Sequence, residues 1–196
     1  MKIYILRHED RTSDCSFFSP LTELGLKKSN ILINDLEKLN INLVISSPFI
    51  RTLQTIRPYL IKNKKQVNIE YGLCEIHNAD IIPKKAVGIQ LPEYIAKSFN
   101  YKCNYNTIIS HTDIKYPETY NDVVIRVKKI LHHLIKKYMN TNINILLVTH
   151  QSLCCAILEI INKSTENKIN TYTVQNYPKG KVSLVFDNGW FYNMIN

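Results

Sequence analysis

Two short apolar runs constrain this chain most. Ile3-Tyr4-Ile5-Leu6 ends at Arg7-His8, and Ile145-Leu146-Leu147-Val148 ends at Thr149-His150. Runs of that length without polar alternation read as strands buried on both faces. Such strands belong to sheets covered by helices on either side, and helical stretches alternate with the apolar runs here. The expected fold is α/β, a three-layer α/β/α sandwich around a mostly parallel central sheet. In open sheets of this kind ligands bind outside the carboxyl ends of the strands. Both histidines are expected at that rim, with arginines beside His8. Such a rim suits an anion, and imidazole can accept a phosphoryl group and pass it to water.

The remaining elements follow from pattern and punctuation. Lys2 to Leu6 is the first strand. Thr22 is a good N-cap for a helix reaching about Leu39, with Glu23 in its first turn. Leu43 to Ile45 and Val67 to Glu70 read as buried strands. A helix begins at Pro48 and pauses at Pro58. Ser46 and Ser47, outside any Gly-x-Ser-x-Gly setting, are expected to cap it. Glu118 to Tyr138 carries a long apolar stripe, Asn144 to Thr149 is the most apolar strand, and Ser152 to Ile161 is a helix. Thr171 to Gln175, Lys181 to Phe186 and Trp190 to Asn193 read as closing strands, the last two a hairpin across Asp187-Asn188-Gly189. The expected organisation is one domain over residues 1–196. Residues 77–117, with one helix around Pro92 to Phe99, form a lid-like insertion over the rim.

Composition excludes several function classes. Hydrophobic residues are 45% and charged residues 21%, a globular balance that argues against disorder. No apolar run is long enough to span a membrane, and Met1 to Leu6 is too short for a signal-peptide core, so a cytoplasmic location is expected. The five cysteines (Cys15, Cys74, Cys103, Cys154, Cys155) are odd in number and lack paired Cys-x-x-Cys spacing, so they read as reduced, buried thiols rather than a metal site. The net charge of +9 comes from lysines spread over helix faces, not from a basic run interleaved with aromatics. It disfavours a nucleic-acid partner and suits attraction of a phosphorylated substrate.

Five segments, in order, resemble the histidine phosphatase superfamily, also called phosphoglycerate-mutase-like. Leu6-Arg7-His8 resembles the signature of its nucleophilic histidine. Ser19-Pro20-Leu21-Thr22-Glu23-Leu24-Gly25 is similar to its "PLTxxG" segment, and Ser46 to Thr55 to its "SSPxxRxxQT" segment. Leu73-Cys74-Glu75 resembles the "LxE" of the proton donor, and Val148-Thr149-His150 the second histidine motif. Arg11, three residues after His8, and Gly72-Leu73-Cys74-Glu75 resemble the branch of the suppressor-of-T-cell-receptor-signalling and ecdysteroid-phosphate phosphatases. Pro117-Glu118-Thr119 with Asp122 and Arg126 is similar to the wider family's "GES…D…R".

The resemblance implies a metal-independent phosphomonoesterase that needs no cofactor, and the residue chemistry agrees. Arg7, Arg51 and Arg11 would grip a phosphate dianion through forked, charge-assisted hydrogen bonds. His8 would attack, its other nitrogen pinned as a donor to a backbone carbonyl. His150, serving best protonated, would bind phosphate and stabilise transferring charge. Glu75 would protonate the leaving oxygen and then activate water, with Glu70 as the competing carboxylate. The partner is a phosphorylated small molecule or phosphoprotein; a homodimer is compatible with the sequence. His77 and His111 read as surface histidines, with a place lining the leaving-group pocket as the alternative, and His132-His133 as structural.

The chain also departs from the family pattern. Glu9 stands where the family has glycine directly after the nucleophile, Asp10 replaces a glutamate of the branch, and Gln151 replaces a small residue. A glutamate aimed into the pocket would repel a dianion and make the protein a phospho-ligand or protein-binding pseudophosphatase. One aimed elsewhere, or paired with lysine, would leave activity intact. A phosphoglycerate mutase is disfavoured, because residues 77–117 contain no arginine to grip a substrate carboxylate.

Overall fold

The structure is a computed structural model that describes residues 1–14, 16–78, 88–164 and 177–187. Strands β1 (Lys2–Arg7), β2 (Leu43–Ser46), β3 (Val67–Ile69), β4 (Asn144–Thr149) and β5 (Val182–Asp187) form one sheet in the order β3-β2-β4-β1-β5. All pairings are parallel except β5 against β1. The helices are α1 (Glu23–Glu37), α2 (Ile50–Lys62), α3 (Glu93–Lys97), α4 (Tyr120–Tyr138) and α5 (Gln151–Ser164). The three-layer α/β/α expectation holds.

The layering follows from handedness. The chain steps from β1 to β2 to β3 in one direction along the sheet, then reverses to β4 and β5. Right-handed crossovers therefore put α1 and α2 on one face and α4 on the other, where α5 packs against α4. Contacts agree, because α1 packs on α2 and α4 on α5. Ile3, Ile5, Leu6 and Ile145 through Val148 are fully buried in the middle layer. Helix α4 buries Val123, Val127, Ile130, Leu131, Leu134 and Ile135, the spacing of one helical face.

Helix α1 starts where its sequence says. The Thr22 side chain accepts the Gly25 amide at 3.1 Å. Helix α2 starts two residues after Pro48 and runs through Pro58 without a break; Phe49 is its N-cap and no side chain caps it. Helix α3 occupies the core of the expected Pro92 to Phe99 segment. The expected strands at 171–175 and 190–193 and the hairpin turn lie outside the described residues, as do Cys15 and residues 79–87 of the insertion. Cys74, Cys154 and Cys155 are buried free thiols, but Cys103 is exposed because its loop lies on the surface. Among the described residues no helix is long and apolar enough to cross a membrane.

Gly25 ties this frame to the rim. A Cβ there would lie 2.1 Å from the carbonyl oxygen of Asp10, a backbone atom that cannot swing aside. Helix propensity alone would favour Gly25→Ala by up to about 1 kcal/mol. The overlap reverses the sign. Gly25→Ala is expected to lower stability by about 1–3 kcal/mol in urea unfolding and to displace the loop after β1.

Candidate active site

The register of β1 and β4 creates the site. Arg7 pairs with Thr149, so the next residue of each strand is a histidine. The His8 amide donates to the Thr149 carbonyl at 3.0 Å, extending the ladder by one step. Beyond it the chain departs to α1 on one face, and beyond His150 to α5 on the other. The crevice opened by that reversal holds both rings edge to face, centroids 5.2 Å apart.

His8 is 3% exposed, and its Nδ1 lies 2.7 Å from the Glu9 carbonyl. A carbonyl only accepts, so Nδ1 carries the proton and Nε2 keeps its lone pair. Burial and the Arg51 guanidinium push the imidazole down to about 3, against the Glu9 hydrogen bond. The ring is neutral at physiological pH.

His150 is fully buried, with Nε2 2.9 Å from Ser47 Oγ. Its Nδ1 has no hydrogen-bond partner and lies 3.9 Å from Glu75 Oε2. The expected role uses the protonated ring during transfer, whereas in the unliganded site the ring is held away from that form. Burial, then the positive charges of Arg51 and its neighbours, hold the ring well below the usual histidine range. Ser47 likewise serves His150 rather than helix α2.

The segment from Ser46 to Thr55 acts as a bracket. Arg51 is 2% exposed; it donates to the Ser16 carbonyl at 2.9 Å and lies 4.4 Å over the Phe49 ring. The other side of the Phe49 environment is His150, ring centroids 4.8 Å apart. Gln54 accepts the Leu21 amide at 2.7 Å, fixing the loop before α1. One residue on, Thr55 accepts the Glu9 amide at 3.0 Å, fixing the loop after His8. One helix face thus holds the arginine and both ends of the loop between His8 and α1.

Arg7 donates to the Tyr177 carbonyl at 2.5 Å, and its buried Nε has no hydrogen-bond partner. Arg11 is half-buried, bonds to the Thr12 carbonyl at 2.6 Å, and its charge acts on both His8 and Arg7. Glu75 comes in from the chain after β3. Its Oε1 accepts the Ile76 amide at 3.1 Å and the Ser152 hydroxyl. Glu70 has a different job. Its fully buried carboxylate takes the Gly72, Ile108 and Ile109 amides and the Tyr105 and Thr107 hydroxyls, organising the insertion instead of the rim.

The remaining histidines divide. His77 is buried, not on the surface as expected, because its amide donates to Glu118 and its Nδ1 to the Glu75 carbonyl. His111 is half-buried against Tyr71, and His132 and His133 are exposed. Sequence reasoning also passed over Ser152 and Tyr177. Neither sits in a motif, and only the tertiary fold brings them to Glu75 and Arg7.

Glu9 is 4% exposed and packs under the turn at Gly180. A Cβ on Gly180 would lie 1.8 Å from Glu9 Oε1, and the residue has φ +65°, so glycine suits both demands. The largest charge influences on the Glu9 carboxyl are those of Lys28, Asp10 and Lys179. Asp10 itself pairs with Lys179 and accepts from Thr22 at 2.8 Å. Burial raises the Glu9 carboxyl above its ordinary value, opposed by Lys28. Such a group binds more protons folded than unfolded, so stability falls as pH rises from about 4 through the raised value. Glu9→Gln is therefore expected to gain stability over the wild type progressively with pH; a difference constant with pH in urea unfolding would contradict this.

The family model of the histidine phosphatase superfamily (branch 1) matches residues 13–189. No curated protein matches the chain in sequence. Among solved structures, the ecdysone phosphate phosphatase from Bombix mori is 14% identical, covering 97% of this chain and 90% of its own, with TM-score 0.67. The alpha-ribazole phosphatase from Shigella flexneri is 22% identical over 82% of this chain and 80% of its own, TM-score 0.57. A mycobacterial glucosyl-3-phosphoglycerate phosphatase is 18% identical over 81% and 79%, TM-score 0.55. These likenesses show the fold. The family match begins after His8, so the reading of that residue rests on its place beside His150.

Proposed function

The chain belongs to branch 1 of the histidine phosphatase superfamily and is a phosphatase of that family, and from that premise we propose that it hydrolyses phosphate monoesters through a phosphohistidine on His8. One observation carries the reading. Two buried nitrogens, His150 Nδ1 and Arg7 Nε, lack hydrogen-bond partners beside a neutral imidazole. Buried groups of this kind are nearly always satisfied, and a phosphate oxygen would satisfy them.

A phosphate monoester brings nearly two negative charges. Arg7, Arg51 and Arg11 bind its oxygens, so the guanidinium groups supply positive charge without a metal ion. His8 Nε2 attacks phosphorus in line while Nδ1 keeps its proton and donates it to the Glu9 carbonyl. Burial and then the arginine charges hold His150 neutral; the dianion offsets those charges, so His150 donates to a phosphate oxygen and gains a proton more readily when substrate is bound. Glu75, beside His150, protonates the departing oxygen and then takes a proton from the water that releases phosphate. The Glu9 carboxyl, packed on Gly180, supports turnover over the pseudophosphatase reading. The lack of arginine in residues 77–117 still weighs against a mutase.

Three different phosphate esters appear in the names of the similar structures. The phosphate is their shared chemistry, so an aryl phosphate with a good leaving group is a fitting first substrate. Hydrolysis is expected to persist in excess chelator. An absence of hydrolysis, restored in Glu9→Gly, would instead favour the silenced site.

A further inference from the structure

We infer that Arg126, locked to Glu118, is the positioning residue for the general acid Glu75; this rests on the phosphatase reading above. Arg126 and Glu118 are both buried. They pair through two parallel bonds, Nε to Oε1 at 2.7 Å and Nη2 to Oε2 at 2.9 Å. The same guanidinium donates from Nη1 to the Gly72 carbonyl at 2.6 Å, and Nη2 lies 3.4 Å from the Glu75 carbonyl. Glu118 meanwhile accepts the His77 amide at 2.9 Å and donates its own amide to the His77 carbonyl at 2.7 Å. His77 closes the ring by donating Nδ1 to the Glu75 carbonyl at 2.8 Å.

The backbone from Gly72 to His77 is therefore held before, at and after Glu75. Two anchors come from the beginning and second turn of α4, which is fixed at its start by the Thr119–Asp122 capping box. A third comes from the sheet, where Thr149 Oγ1 donates to the Leu73 carbonyl at 2.7 Å. The Glu75 carboxylate is left to be aimed by Ser152 and Ile76. A buried ion pair is a poor device for stability alone, since well-packed apolar residues often serve as well. Its forked geometry does fix a segment in place, and proton transfer to a leaving group requires hydrogen-bond reach.

The test compares two substrates whose leaving groups differ in their need for a proton. Phenyl phosphate needs protonation as its bond breaks, whereas 2,4-dinitrophenyl phosphate leaves without it. The quantity is kcat/KM, which reports phosphoryl transfer to His8 and not the later hydrolysis step. Arg126→Met alone leaves Glu118 uncompensated, so Glu118→Gln/Arg126→Met is measured beside it, with circular dichroism and thermal melting confirming the fold. For the folded double variant, kcat/KM is expected to fall about 10- to 100-fold on phenyl phosphate and less than about threefold on the dinitrophenyl ester, as a weaker form of Glu75→Gln. Equal losses on both substrates, or none on either, would overturn the positioning role. If instead the wild type shows no His8-dependent hydrolysis, the phosphatase reading itself fails, and the two failures are told apart.

Discussion

His8→Ala is expected to cut hydrolysis of an aryl phosphate by at least about 10⁴-fold, because the covalent route disappears with its nucleophile. Initial rates with saturating substrate measure it. The fold should survive. The His8 side chain makes one hydrogen bond, to its neighbour's carbonyl, and the backbone bond to Thr149 remains. Removing a desolvated imidazole also removes a group that disfavours folding in acid. Phosphate should still bind the variant, since the arginines and His150 are untouched. Near-wild-type rates in His8→Ala would mean that another residue or water attacks phosphorus directly.

The second large effect concerns Arg51. Arg51→Ala is expected to lower kcat/KM by about 10³-fold or more, the scale of losing a guanidinium from phosphoryl transfer. Arg51→Lys should fall between the two, keeping the charge but losing the planar fork. A further consequence separates Arg51 from a structural role. After burial, its charge is the largest influence holding His8 down near 3. Without it the His8 imidazole rises, so the acid limb of kcat/KM, set in the wild type by protonation of the phosphate ester, should shift to higher pH or steepen in the variant. Inhibition by inorganic phosphate should weaken in parallel. Unchanged phosphate affinity in Arg51→Ala would remove it from the site.

Much of this site was legible because its parts are local. An apolar strand followed by His8, and another followed by His150, needed only the rule that parallel strands release ligands at their carboxyl ends. Arg51, Gln54 and Thr55 stood out through their resemblance to the family's motif, and the structure places them on one helix face. Thr22 and Gly25 marked the start of α1 in the same way. What the chain hid was tertiary. Ser47 looked like a cap until β4 brought His150 within 2.9 Å of it. His77 looked like a surface residue because nothing adjacent in sequence shows that Glu118, 41 positions later, takes its amide. Glu75 was favoured over the nearby Glu70 only by its resemblance to the family's motif. The two separated physically when the 105–109 loop was seen to fill one carboxylate, leaving the other at the rim. The environment of His150 was hidden too: burial opposes, in the unliganded site, the protonated form that transfer would use.

The central claim is a phosphoryl group carried on His8. The most direct measurement mixes the protein with an excess of 2,4-dinitrophenyl phosphate, quenches in alkali within the first turnovers, and weighs the intact chain and its peptides. A single phosphoryl adduct is predicted on the peptide containing His8, stable in alkali, lost in acid and missing from His8→Ala. Steady turnover without any adduct, or an acid-stable adduct on another residue, would contradict the account.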